Sequence, residues 1–182
     1  MKFISTRGKS GRVSSAEAII KGLADDGGLF VPEYFPKAFE KLKKKISISY
    51  EELAFEIIKE FFDDIPEDDL KDAINKAYKG RFEILEKGAF LELYHGPTSA
   101  FKDAALLFLP QIMKKAKKVL AINDEIIILT ATSGDTGKAA LEGFHDVEGF
   151  KCVVYYPNDG VSAIQQRQMN TQVGDNVKVI AI

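Results

Sequence analysis

In the first eighty positions, apolar residues recur at intervals of three and four, the spacing of helices with one buried face. Ala18, Ile19, Ile20 and Leu23 follow Ser14-Ser15-Ala16-Glu17, which has the spacing of a capping box. A second box, Ser49 to Glu52, precedes Leu53, Ile57, Ile58, Phe61 and Phe62. Pro66, suited to a first helical turn, opens a third helix with Leu70, Ala73, Ile74 and Ala77 inward. Between the first two helices, "LFVP" reads as a short strand ended by Pro32.

The period changes after Gly80. "FLELY" predicts a strand and residues 100 to 118 a helix. Ile126 to Ala131 is apolar and β-branched, with the character of a strand covered on both faces. A loop "TSGDTG" leads to a short helix, Lys138 to His145, and then to a strand "CVVYY" stopped by Pro157. A third capping box, Ser162 to Gln165, opens a helix to about Gln172, and "VKVIAI" is a last strand. Strands and helices alternating at short intervals predict right-handed βαβ units and a parallel sheet. The expected class is therefore α/β: a small, mainly helical domain over residues 1–88, then the first part of an α/β domain over 89–182. Because the chain stops at an apolar strand with no helix to cover it, we expect the amino-terminal part of a longer protein.

Composition excludes more than it selects. The 182 residues are 46% hydrophobic and 29% charged, with a net charge of −2, so nothing pulls the chain toward nucleic acid or a membrane surface. Two short basic tracts, Lys41 with Lys43 to Lys45, and Lys114 and Lys115 with Lys117 and Lys118, read as solvated helix ends. The single cysteine, Cys152, rules out an internal disulfide and lies in an apolar run, where a thiol is buried packing. No His/Cys/carboxylate cluster has ligand spacing, so no metal is expected. No leader or membrane span is visible, and a cytoplasmic protein is the default.

Two stretches can carry chemistry. In "TATSGDTGKAA", residues 130–140, a buried strand feeds a loop of hydroxyls and glycines and a helix begins at once. Such a helix start offers free N–H groups to an anion, and Ser133 and Thr136 add donors. Gly134 and Gly137 allow close approach, at the carboxyl end of a parallel strand where open α/β sheets bind ligands. The competing reading is that Asp135 or Thr136 merely caps the helix. The loop is neither a phosphate-binding P-loop, which needs Ser or Thr after Gly137-Lys138, nor a G-x-G-x-x-G dinucleotide fingerprint. In "HGPTSAFKD", residues 95–103, Thr98 or Ser99 can cap a helix with Lys102 in its first turn. There the dipole repels an ammonium and Phe101, Ala105 and Phe108 desolvate it, conditions that favour an amine able to attack a carbonyl. A lysine snorkelling to water beside Asp103 explains the same residues.

Together, "HGPTSAFKD" and "TATSGDTGKAA" resemble the signature segments of threonine synthase, and "TRG…VSSAEAIIKGLADDGGLFVPEYFP" is similar to the start of that family. The resemblance runs along essentially the whole chain. It implies a threonine synthase amino-terminal domain over 1–88, followed by the first βαβ units of a fold-type II pyridoxal-phosphate enzyme. The implied cofactor is pyridoxal 5′-phosphate, held covalently by Lys102, which then moves protons at Cα and Cβ of the substrate. The implied reaction converts O-phospho-L-homoserine and water to L-threonine and phosphate. Thr132, Ser133, Gly134 and Thr136 are implied to hold the substrate carboxylate, and Asp135 to stand near the cofactor's phenolic oxygen, where relatives of the fold carry Asn. Ser99 and Ser15 depart from the family's usual Leu and Phe. The family's glycine-rich phosphate loop and the group facing the pyridine nitrogen belong to a later segment. The remainder of the chain is thus expected to complete the site, and these residues alone to be inactive. The alternatives are a phospholyase that stops at elimination and a non-catalytic anion-binding α/β module.

Overall fold

The computed structural model of the chain describes residues 1–37, 42 and 48–182. The basic tract at Lys41 and Lys43 to Lys45 lies outside the described residues. The chain divides into two compact units, residues 1–76 with 112–122, and residues 77–111 with 123–182. Among the described residues no helix is long and apolar enough to cross a membrane.

In the first unit, β1 (Phe3–Ser5) pairs antiparallel with β2 (Phe30–Pro32). β1 was not evident in the sequence, because three residues among charged neighbours carry no period. α1 (Ser15–Lys21) and α2 (Tyr50–Ile58) begin at the expected boxes: the Ser14 and Ser49 hydroxyls accept from the Glu17 and Glu52 N–H groups, and each glutamate accepts in return. α3 (Glu67–Tyr78) buries Leu70, Ala73 and Ile74. The Lys114–Lys118 tract does end a helix, with Lys114 and Lys118 exposed, but Lys117 is buried and Lys115 is half-buried and ion-paired. It lies on α5 (Phe108–Val119), where Lys115 reaches Asp69 at 3.0 Å and Asp72 at 2.6 Å, and Lys118 reaches Asp69 at 2.9 Å. The hydrogen bonds from Lys118 and then Lys115 hold the Asp69 carboxyl below its ordinary range.

In the second unit, β3 (Glu83–Lys87) and β4 (Phe90–His95) form an antiparallel hairpin. β3 was not expected, since its charges mask the alternation. The helix expected over 100–118 is two: α4 (Asp103–Leu106) and α5, separated at Leu107. Pro110 is the physical reason, having no N–H to give the Leu106 carbonyl. Then follow β5 (Ile126–Ala131), α6 (Asp135–Phe144), β6 (Phe150–Tyr156), α7 (Ala163–Asn170) and β7 (Val177–Ala181). The three strands form the expected parallel sheet in the order β5-β6-β7, with Ile128 beside Cys152 and Cys152 beside Val177.

The core of this sheet lies on one face. Phe150, Cys152, Val154 and Tyr156 of β6 are buried, as are Ala139, Ala140, Leu141 and Phe144 of α6, and the Phe144 and Phe150 rings stand 5.5 Å apart. Burial pushes the Cys152 thiol up to about 11, which removes it as a nucleophile at neutral pH. β5 departs from the expectation of two covered faces. It is an edge strand whose residues alternate, leaving Ile127 and Leu129 exposed.

Candidate functional site

Both chemistry-bearing stretches fall in the second unit. The loop leaves β5 at Ala131 and enters α6 at Asp135, three residues before the helix expected from Lys138. Thr132 explains the early start. Its hydroxyl accepts from Gly134 N at 3.1 Å and Gly137 N at 3.0 Å, so the capping is done by a residue behind the loop, not by Asp135 or Thr136. Gly134 takes φ +150°, which side-chain-bearing residues rarely adopt, and a Cβ there would overlap the Gln165 carboxamide. A Cβ at Gly137 would overlap Thr132 and Val154, so the helix start sits tightly on the sheet.

Ser133, Asp135 and Thr136 are exposed on the outer side of this loop, while Thr132 is half-buried and Gly134 buried. Among the described residues, nothing accepts from the N–H groups of Asp135 and Thr136, which remain at the positive end of the α6 dipole. The Asp135 carboxylate, which would compete with an anionic ligand for them, accepts a hydrogen bond from Gln165 Nε2 at 2.7 Å. Gln165 also closes the α7 capping box with Ser162. Only that second role was visible in sequence, since the pairing with Asp135 spans thirty residues.

Lys102 is carried by a different segment, the turn leading into α4. The helix begins at Asp103, so Lys102 is its boundary residue rather than part of a first turn. Its ammonium rests 4.4 Å from the centroid of the exposed Phe101 ring, and it has no carboxylate partner among the described residues. Asp103 does not offset it. That side chain is fully buried and turned to Thr98, whose backbone N–H and hydroxyl it accepts at 2.9 and 2.6 Å. Sequence reasoning missed this role because an Asp after a Lys looks like its counter-ion. α4 is brought against α6 at Gly143, where a Cβ would overlap the Leu106 carbonyl oxygen.

An unpaired amine on a fixed turn and an anion-ready helix start, in one unit, suit a ligand carrying both a carbonyl and a negative charge. Among the described residues no group of three or more His, Cys, Asp or Glu could hold a metal ion.

The class these features define is an open parallel α/β protein, an architecture whose ligand sites lie at the carboxyl ends of the strands. The comparisons with known proteins narrow it: in sequence and in fold the chain matches, along its whole length, the amino-terminal portion of threonine synthases. A family model described as the threonine synthase N terminus matches residues 2–78. The chain is 38% identical to a threonine synthase of Pseudomonas aeruginosa, which covers 100% of this chain and 40% of that protein. Against mouse threonine synthase-like 2, identity is 36% with the same coverages, 100% and 40%. Among solved structures, pyridoxal-phosphate-bound threonine synthase from Brucella melitensis superposes with TM-score 0.88 at 35% identity, over 100% of this chain and 41% of that one. The Escherichia coli enzyme gives 0.81 at 31%, over 100% and 42%. The chain thus spans about two fifths of the length of the relatives it matches.

Proposed function

We propose that this chain supplies the lysine-bearing part of a cytoplasmic, pyridoxal-phosphate-dependent threonine synthase, which converts O-phospho-L-homoserine and water to L-threonine and phosphate. The observation that carries the reading is Lys102, a half-buried amine on a turn pinned by a buried carboxylate, with no anionic partner among the described residues. That donor set fits a carbonyl cofactor, because a lysine already ion-paired would have to break the pair before reacting. Support for the cofactor also comes from the bound state of the Brucella melitensis relative. In this reading residues 1–88 form the family's amino-terminal domain and 89–182 begin the cofactor domain.

Pyridoxal phosphate, when bound, supplies an electron sink that acidifies the bonds at Cα and Cβ of the substrate. The chain's own residues do the rest. Lys102 would hold the cofactor through its Nζ, and as a free amine it would take and return protons at Cα and Cβ of the substrate. The free N–H groups of Asp135 and Thr136, with the Ser133 and Thr136 hydroxyls, receive the substrate carboxylate. Thr132 and Gly134 shape that loop from beneath, and Asp135, which accepts from Gln165, would stand near the cofactor. The cofactor's phosphate and ring nitrogen are met by the part of the enzyme these residues do not span.

The likeness to threonine synthase-like 2 favours a second reading, a phospholyase that stops at elimination. Incubating the complete native protein with pyridoxal phosphate and O-phospho-L-homoserine separates them. Threonine and phosphate in equal amounts support the synthase; phosphate with a keto acid and no threonine supports the lyase. Release of neither leaves an anion-binding module.

A further inference from the structure

Asp103 is fully buried, and burying a carboxylate is costly unless its oxygens are satisfied. Here both are, and both by one residue: Thr98 gives its N–H to Oδ2 and its hydroxyl to Oδ1. The backbone closes the same turn, with Ser99 N–H donating to the Gly96 carbonyl and Asp103 N–H to that of Ala100, each at 3.1 Å. Ser99 sits at φ +55° inside the turn, a conformation the surrounding bonds must enforce. Gly96 lies so close to Asp103 that a Cβ would overlap its carboxylate. A helix start needs none of this, since an exposed Ser or Asp caps one as well. What the closed turn does fix is the residue before Asp103. With Asp103 aimed into the core, Lys102 is directed outward, and its ammonium is found over the exposed Phe101 ring.

We propose that Asp103 is the positioning residue for Lys102: through Thr98 it locks residues 98–103 so that the lysine amine is presented in one orientation to the carbonyl it binds. The inference rests on the function proposed for Lys102 and adds what holds that amine in place.

The test is chemical labelling of the complete native protein. The Lys102 amine condenses with the aldehyde of added pyridoxal phosphate, losing water, and borohydride delivers hydride to the C=N carbon to leave a stable secondary amine. Peptide mass spectrometry then gives the rate at which the adduct forms on Lys102. Asp103→Ala is expected to slow it at least ~10-fold, because misplacing a reacting group by about 1 Å can cost ~100-fold. Thr98→Val, which loses the hydroxyl bond and keeps the N–H bond, is expected to slow it by roughly 3- to 10-fold. Asp103→Asn, which can accept from Thr98 N–H and donate to its Oγ1, is expected to stay within about 3-fold of the parent. Leu141→Ala, a core change in the same unit, controls for lost stability and is expected to label normally. Should Asp103→Ala not fold, Thr98→Val against Asp103→Asn decides. Unchanged labelling in Asp103→Ala and Thr98→Val, or equal loss in Leu141→Ala, overturns the positioning role while leaving Lys102's role intact. No labelling of Lys102 in the parent overturns the function itself.

Discussion

The hydroxyl of Thr132 accepts from the backbone N–H of Gly137 at 3.0 Å, across five residues of loop. One side chain thereby starts α6 and leaves the intervening N–H groups of Asp135 and Thr136 without an acceptor among the described residues. Thr132→Val keeps the shape and removes the acceptor for both Gly137 and Gly134. It should lower stability by about 1 kcal/mol, within the range for a lost helix cap. For a chain of this size the melting midpoint would fall by roughly 2–4 °C. Thr132→Ser should stay close to the parent; equal losses in both would show that the methyl, not the hydroxyl, matters.

Gly143 should resist the change that usually helps a helix. Gly to Ala in a helix interior normally gains roughly 0.5–1 kcal/mol. At this position the new methyl would overlap the Leu106 carbonyl, a backbone atom that cannot rotate away. Overpacking of this kind costs about 1–3 kcal/mol, so Gly143→Ala should unfold at lower denaturant than the parent. A higher midpoint would mean that α4 and α6 are not pressed together there.

Acid should loosen the first unit in a defined window. Asp26 accepts from Ser5 Oγ at 2.6 Å, then from the backbone N–H groups of Gly28 and Lys9, each at 2.9 Å, and its carboxyl falls from 3.8 to about 2. A carboxyl lowered by folding stabilises above its unfolded value and loses that contribution as pH falls through its folded one. The Asp26 contribution is therefore complete above about pH 4 and lost toward pH 2. Asp26→Asn should be less stable at neutral pH and should flatten the pH dependence between those limits. Asp64, Asp69 and Asp72, also lowered, keep a residual slope. An unchanged profile in Asp26→Asn would place the acid sensitivity elsewhere.

What the sequence disclosed was local. The boxes at Ser14, Ser49 and Ser162 and the parallel pairing of β5, β6 and β7 could be read because caps and alternating elements are written within a few residues. β1 and β3 could not, since each exists only through a partner strand and carries charge in place of a pattern. The division at Leu107 was foreseeable from Pro110 and was hidden by the continuous helical spacing around it. At the site, residue types pointed to Lys102 and the 132–136 loop, but not to what holds them. Asp103 turns away from its neighbour to Thr98, and Gln165 reaches Asp135 from another helix. Those pairings depend on side-chain direction, which a string of letters does not carry.

The central claim is that Lys102, not another lysine of the same unit, is the amine that takes the cofactor. Lys138 is the control, because it lies on α6 beside the loop, where Gln172 accepts from it and Glu142 lies 4.0 Å away. Pyridoxal phosphate titrated into the complete native protein should produce the visible absorbance of a lysine-bound cofactor. That band should disappear in Lys102→Ala and persist in Lys138→Ala. A band that survives Lys102→Ala would contradict the account.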